Sequence, residues 1–340
     1  MNEYSIKVGI IIPAYNVQDY IKRGIESCIH QTYTKIEIII VDDGSNDNTP
    51  NIAKNYSQMD DRISVYTQSN NGVSSARNYG LRMCSSDYVL FLDSDDWLEL
   101  DTVEKLILNL PKDNNSYLVS VGASYKYLCD GNILKEENPI SSNSTNISAE
   151  EALMYISSPE YKLSSSCYKL YSMDIIRKKN LYFNEALYHG EDGLFVFEYL
   201  KSVNRFIYKP YLLWNILTRP GSATTGGYNE KMLTAIDAVD SMLSYKNSDE
   251  LNQVIYNYKI SRTIGVLVKA MLDMNNNLED IKYLRYILRN ERSKYMKTEK
   301  NIYNKIKYLV AAHMPIKVLY FIIKVMMRWR LIYLHVLKRI

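Results

Sequence analysis

Clustered cysteine is absent from this chain. Cys28, Cys84, Cys129 and Cys167 lie far apart, with no CxxC pair and no neighbouring histidine cluster. A zinc knuckle and a dithiol redox motif are thereby excluded, and the thiols read as buried or incidental groups in a reducing compartment. The first eight residues lack a basic start followed by an apolar stretch, so no secretory signal is expected. No uncharged apolar run approaches the ~20 residues that a membrane span needs. The expected location is the cytoplasm or the inner face of a membrane, where triplets such as Asn143-Ser144-Thr145 never meet glycosylation machinery.

Two further absences narrow the chemistry. No GxGxxG follows the first apolar run, which disfavours a dinucleotide fold. Val8 to Tyr20 also lacks the glycine-rich, basic loop that a nucleotidyltransferase would use to cradle phosphate. Acid is missing from one region: Lys300 to Ile340 carries nine Lys or Arg and no Asp or Glu. The net charge of +3 therefore conceals a remainder of 3 − 9 = −6. An anionic partner would meet the tail. No nucleic-acid reader motif accompanies that charge, so nucleic acid is not the expected partner.

What is present is a chain 46% hydrophobic, enough for a sizeable core. The first 130 residues alternate short β-rich runs with segments of helical period, the pattern of βαβ units and a mostly parallel sheet. Strands are expected at Val8–Ile12, Ile36–Val41, Ile63–Tyr66 and Tyr88–Leu92. Helices are expected near Gln18–Gln31, Thr49–Tyr56 and Val73–Met83, and again from Asp101. Tyr117–Tyr127 and Asn132–Leu134 read as strands of a mixed extension. Ser141–Ser148 reads as a loop ending in a capping box, Ser148 to Glu151. A helix at Glu191–Val203 and a strand at Arg205–Ile216 follow, and from Tyr228 onward the pattern is helical. A boundary near 225 thus separates an α/β region from a helical one.

Ligands of open α/β sheets bind beyond the carboxyl ends of the strands. Strand one runs into Pro13-Ala14-Tyr15-Asn16, and strand two into Asp42-Asp43-Gly44-Ser45. Buried strand ends seldom carry adjacent carboxylates without a partner. A nucleoside would serve, with a carboxylate accepting from a base N–H and a tyrosine ring stacked on the base. A simple Asp-Gly turn with a capped helix after it is the alternative. Tyr88–Leu92 leads into Asp93-Ser94-Asp95-Asp96, three carboxylates in four residues. Their mutual repulsion calls for a cation, and Asp93 with Asp95 suits Mg²⁺ or Mn²⁺ shared with phosphate oxygens. Which of Asp93, Asp95 and Asp96 bind the ion is left open. Glu191-Asp192 opens a helix, either as capping acids or as a general base for an attacking hydroxyl.

The run Ile10-Ile11-Ile12-Pro13-Ala14-Tyr15-Asn16, then Gln31-Thr32-Tyr33, Val41-Asp42-Asp43-Gly44-Ser45, Asn71-Gly72-Val73-Ser74-Ser75-Ala76-Arg77-Asn78-Tyr79-Gly80 and Phe91-Leu92-Asp93-Ser94-Asp95-Asp96 resembles the family 2 glycosyltransferases. The five motifs stand in order at family-like spacing, and the resemblance covers roughly Val8 to Thr224. It implies the GT-A fold: a Rossmann-like, mixed, mostly parallel sheet flanked by helices, here with a helical C-terminal extension. Residues 1–225 would be catalytic, with a nucleotide-sugar half over about 1–130 and an acceptor half over about 131–225. Residues 226–340 would form the helical region.

The resemblance also implies roles. Pro13, Tyr15, Asp43, Arg77, Asp93, Ser94, Asp95, Lys169 and Arg219 form the expected nucleotide-sugar-binding set. Within it Tyr15 and Asp43 hold the base, usually uracil, and Arg77 lies near base or sugar. Asp93 and Asp95 are the DXD motif, bridging ribose, a Mn²⁺ or Mg²⁺ ion and diphosphate. Lys169 matches a KLY segment. Arg219 matches an R-x-x-S loop that would close on the diphosphate. Glu191-Asp192 matches the ED motif, with Asp192 as general base and Glu191 supporting. The implied activity is inverting transfer, by a single displacement, from a nucleotide-diphosphate sugar to a glycan or lipid-linked acceptor in bacterial surface polysaccharide synthesis. A non-catalytic scaffold with the same fold is the alternative, although a scaffold has no use for clustered acids.

In the tail, Lys317, Lys324, Arg328, Leu331, His335 and Lys338 share one helical face. Leu319, Ile322, Met326, Trp329 and Tyr333 share the other. The pattern suits a helix lying on an anionic membrane, where each basic residue adds about 1 kcal/mol. Docking on the protein itself or on a second subunit, as in a homo-oligomer, is the competing reading.

Overall fold

The computed structural model describes residues 6–111, 116–129, 132–137, 143–158, 163–219, 226–273, 277–299 and 301–325, leaving aside the side chains of 127–129, 132–137 and 298. The chain divides into two compact units, Met1–Thr225 and Gly226–Ile340.

The first unit opens with β1 (Val8–Ala14), α1 (Ile21–Ile29), β2 (Ile36–Asp42), α2 (Thr49–Met59), β3 (Ile63–Thr67), α3 (Val73–Met83) and β4 (Tyr88–Phe91). It continues with β5 (Trp97–Leu98), α4 (Thr102–Leu108), β6 (Tyr117–Cys129), β7 (Asn132–Glu137), β8 (Thr145–Ser148) and α5 (Ala149–Leu153). Then come β9 (Lys169–Ser172), α6 (Met173–Lys179), α7 (Glu191–Leu200) and β10 (Arg205–Thr218). All ten strands join one sheet along the order β3-β2-β1-β4-β9-β6-β10-β5, with β7 on β6 and β8 on β10. The β3-β2-β1-β4 stretch is parallel. β9 then joins antiparallel to both β4 and β6, and β6 pairs parallel with β10.

Burial explains the apolar runs. Every residue of β1 and nearly every residue of β2 is buried, as strands covered on both faces must be. Ile21, Ile25 and Cys28 of α1 pack on this core with Ile10, Ile12 and Ile38. A β-carbon on Gly24 would lie 2.9 Å from the Asp96 carbonyl, so only glycine lets α1 approach the loop after β4. Behind α7, Phe183 and Phe195 stack with centroids 4.1 Å apart, and Phe91 of β4 meets both edge-on. These rings bind α7 to the strand that leads into Asp93.

The structure departs from the sequence reading at Thr145–Ser148. That segment, expected as loop, is β8, paired antiparallel with Arg205–Tyr208 of β10. Three of its four residues are polar and none is buried, so it forms because the long β10 offers an edge, not because its own pattern asks for a strand. The capping box after it is formed, with Ser148 accepting from the Glu151 amide. β5, β9 and α6 are additional short elements.

The second unit begins with a 3-10 turn (Glu230–Leu233) and contains α8 (Thr234–Ser244), α9 (Asp249–Leu272), α10 (Leu278–Asn290), α11 (Arg292–Thr298) and α12 (Ile302–His313). Ser248 and Asn301 cap α9 and α12 through their side chains. Ile264 and Leu267 of α9, Leu284 and Leu288 of α10, and Tyr308 and Ala312 of α12 form its own core. A further helical stretch spans 316–325. Its Leu319 and Ile323 are buried in that core, while Lys317, Phe321 and Lys324 are exposed. Leu319, expected on a lipid-facing stripe, is thus occupied by packing within the unit. The tail residues from Met326 onward, including Arg328, Trp329, Leu331, Tyr333, His335 and Lys338, lie outside the described residues. No helix among the described residues is long and apolar enough to cross a membrane.

Candidate active site

The carboxyl ends of β1, β2 and β4 converge with the N-termini of α3 and α7. Asp43 follows β2 and donates its amide to the Ala14 carbonyl at 2.8 Å, which sets it beside Tyr15. Its carboxylate is buried and accepts from Gln68 Nε2 (2.7 Å) and from the amides of Asn71 (2.9 Å) and Gly72 (2.8 Å). It therefore ties the loop before α3 to β2. Gly72 holds φ = 91° there, a conformation that disfavours a side chain. Pro13 is buried at the end of β1. The Tyr15 ring is 44% exposed, available to a planar ligand.

Arg77 occupies the centre. It projects from α3 into a buried position and donates from Nη2 to Asp93 Oδ1 (2.8 Å) and from Nη1 to Asp192 Oδ1 (2.9 Å). Glu191 Oε1 is 3.6 Å from the same Nη1. Burial alone would weaken its hold on the proton, but Asp192 and Asp93 outweigh it and keep the guanidinium charged beyond its ordinary range. One cation thus joins acids 99 residues apart in sequence (192 − 93), and no local pattern announces the contact.

The three acids after β4 have different surroundings. Asp93 is 43% exposed at its side chain. Asp95 Oδ2 accepts from Arg219 Nε at 2.9 Å. Burial, then repulsion from Asp93, raises the Asp95 carboxyl above its usual range despite Arg219. Asp96 is buried, accepts from the Leu217 amide at 2.9 Å, and is pushed well up by burial and by both neighbouring acids. Its bond anchors β10. Ser94 is buried within the loop.

Glu191 and Asp192 form the first turn of α7, whose N-cap is Gly190, a residue with no side chain to cap it. Asp192 Oδ1 instead takes Arg77 and also the hydroxyl of Ser166 at 2.5 Å. Burial and the nearby Asp192 push Glu191 up to about 8, against the pull of Arg77. Lys169 has no exposed surface. Its ammonium lies on the carbonyls of Ser165 (2.7 Å) and Cys167 (3.3 Å), so it shapes the loop that carries Ser166. Ser166 was invisible in the sequence, where it is one of three consecutive serines. Tyr20, whose ring lies 4.4 Å from the Arg219 guanidinium, was equally unmarked.

Asp93 and Asp95 are hard oxygen donors in one short loop, where burial and then repulsion between the acids raise the Asp95 and Asp96 carboxyls. Among the described residues no group of three or more His, Cys, Asp or Glu gathers into a complete ion site. Such a partial carboxylate set fits Mg²⁺ or Mn²⁺ where substrate phosphates supply further ligands.

Residues 9–179 match the model of the family described as Glycosyl transferase family 2. The chain belongs to that family. Its glycosyltransferase relatives include GlyA of Streptococcus pneumoniae, 50% identical over 100 residues, which is 29% of this chain and 14% of that protein. An uncharacterized glycosyltransferase of Haemophilus influenzae is 34% identical over 203 residues, 59% of this chain and 74% of the other. The putative teichuronic acid biosynthesis glycosyltransferase TuaG of Bacillus subtilis is 42% identical over 106 residues, 31% of this chain and 42% of that one. The chain thus matches only a small part of GlyA. The crystal structure of Staphylococcus aureus TarS 1–349 in complex with UDP-GlcNAc superposes with a TM-score of 0.65 at 20% identity, over 90% of each chain. That likeness shows that this chain has the same fold.

Proposed function

We propose that this glycosyltransferase moves a sugar from a UDP-sugar to a hydroxyl of a glycan or lipid-linked acceptor, with inversion, in the synthesis of a bacterial surface polysaccharide. The observation that carries the reading is the bridge from Asp93 through Arg77 to Asp192, two carboxylates on one guanidinium. The fold shared with a UDP-GlcNAc complex, and relatives named for teichuronic acid and chondroitin synthesis, support the choice of donor and pathway.

In this reading Tyr15 stacks on the uracil, and Pro13 and Asp43 shape its pocket. Asp93 and Asp95 would hold Mn²⁺ or Mg²⁺, and Ser94 sets the loop between them. A bound cation supplies charge stabilisation to the leaving diphosphate. Asp192 takes the proton of the acceptor hydroxyl as its oxygen bonds to the anomeric carbon. The bond from that carbon to the phosphate oxygen breaks on the opposite face, and its electron pair leaves with UDP. Arg219 transfers from Asp95 to the departing diphosphate, where a cation is most useful in the transition state. Glu191, largely protonated, lends Asp192 little repulsion. The exposed Lys317 and Lys324 draw the second unit toward anionic lipid.

The test is UDP release from a panel of UDP-sugars with Mn²⁺, comparing the full chain with Asp95→Ala. Turnover of at least one donor, with loss in the variant, supports the proposal. No turnover across the panel, or equal rates in the variant, contradicts it.

A further inference from the structure

The loop before β9 is fastened at every residue around Ser166. Tyr168 holds φ = 53°, a left-handed conformation that a tyrosine keeps only where its surroundings impose it. Lys169 returns to the carbonyls of Ser165 and Cys167. The Tyr171 hydroxyl donates to the Ser166 carbonyl at 2.8 Å. A lysine ammonium fully buried on backbone carbonyls costs much desolvation, and what the arrangement secures is one buried hydroxyl. Ser166 Oγ donates to Asp192 Oδ1, 2.5 Å away, and Ser166 itself has no exposed surface.

Asp192 Oδ1 receives that hydroxyl and Arg77 Nη1 at 2.9 Å together. Among the described residues no donor meets Oδ2, and the Asp192 side chain is 24% exposed. The carboxylate is thus held by one oxygen with the other left for a ligand. The remaining ionisable groups facing it are the Cys167 thiol, the Tyr171 phenol and its neighbour Glu191. All three are buried and raised, so among the described residues Arg77 is the cation that partners it there.

We propose that Ser166 is a positioning residue of the transfer reaction: with Arg77 it fixes Oδ1 of Asp192, so that Oδ2 is aimed at the acceptor hydroxyl. The inference rests on Asp192 being the base. Ser166 is not required for donor binding, since its contacts are with Asp192 and with its own loop. A carboxylate released from one of two donors would rotate, and catalytic geometry tolerates little misplacement.

The experiment measures UDP release with Mn²⁺ from the UDP-sugar that the wild type turns over fastest, and UDP affinity by calorimetry. The proteins are wild type, Ser166→Ala, Ser166→Thr, Asp192→Asn and the Ser166→Ala/Asp192→Asn double variant. Ser166→Ala is expected to lower kcat about 10- to 100-fold, the loss for a hydrogen bond to a charged group. The donor KM and UDP affinity should stay within about twofold, since the loss falls on the chemical step. Ser166→Thr keeps a hydroxyl and should recover most of kcat. In the double variant Ser166→Ala should add nothing to the Asp192→Asn loss, because both changes act through one carboxylate. Wild-type kcat in Ser166→Ala, UDP affinity falling in step with kcat, or additive losses in the double variant would overturn the inference. Wild-type kcat in Asp192→Asn would instead overturn the assignment of the base.

Discussion

Arg219 Nε lies 2.9 Å from Asp95 Oδ2, and its guanidinium sits 4.4 Å from the ring centre of Tyr20. Asp95 thus has a cationic side chain as its partner, and a metal ion entering alone must displace it. Arg219→Ala is therefore expected to tighten nucleotide-free Mn²⁺ binding about fivefold, the worth of an ion pair of about 1 kcal/mol. The same variant should weaken UDP binding in Mn²⁺, because the diphosphate loses a partner. Electron paramagnetic resonance of Mn²⁺ gives the first quantity and calorimetry the second. Unchanged Mn²⁺ affinity would show that the pair is no barrier.

Asp96 differs from its neighbours in having a backbone partner. Asp96→Ala leaves the buried Leu217 amide without an acceptor and should cost about 1–3 kcal/mol in denaturant unfolding. Asp96→Asn keeps an accepting oxygen and should unfold near the wild-type midpoint with Mn²⁺–UDP binding intact, whereas Asp95→Asn should lose that binding. Loss of binding in Asp96→Asn would place the third acid on the ion.

Glu191 gives stability a pH dependence whose sign follows from its environment. Its carboxyl holds a proton up to about 8 in the fold against an ordinary 4.5, so the folded chain binds more protons than the unfolded one between those values. The stabilisation is full below 4.5 and is lost as pH rises through 8. Glu191→Gln is neutral throughout and removes the dependence. Thermal melts from pH 5 to 8.5 should show the variant gaining on the wild type as pH rises. A constant gap would contradict the raised carboxyl.

Gly24 connects α1 to the same loop. In Gly24→Ala the new methyl would meet the Asp96 carbonyl at 2.9 Å, so the Asp93–Asp96 backbone must shift. Overpacking of this kind costs about 1–3 kcal/mol, and Mn²⁺–UDP affinity should fall with stability. A variant that loses stability but keeps full affinity would show that the helix gives way rather than the loop.

The parallel half of the sheet was legible because buried stretches such as Ile38–Val41 are continuous apolar runs that end abruptly in acids. β8 was not, since Thr145–Ser148 has no strand pattern and takes its conformation from β10. Charge repulsion made Asp93, Asp95 and Asp96 conspicuous, but their separate surroundings depend on Arg219 and Leu217, more than 120 residues away. Glu191 and Asp192 looked equally like helix caps, and only their tertiary partners distinguish them. Ser166 and Lys169 illustrate the same limit: a buried lysine and a loop serine acquire their roles from a fold that no spacing encodes. Leu319 shows the converse, one apolar residue that packs inward where the charge beside it suggested lipid.

In the proposed mechanism donor acids and acceptor base are separate groups in one site. That separation is tested most directly by Asp192→Asn, with UDP affinity and UDP-sugar turnover measured on the same preparation in Mn²⁺. UDP affinity should stay within about twofold of wild type and turnover should fall by roughly 10²- to 10⁴-fold, the contribution of a general base. Turnover at the wild-type rate, with UDP still bound, would contradict it.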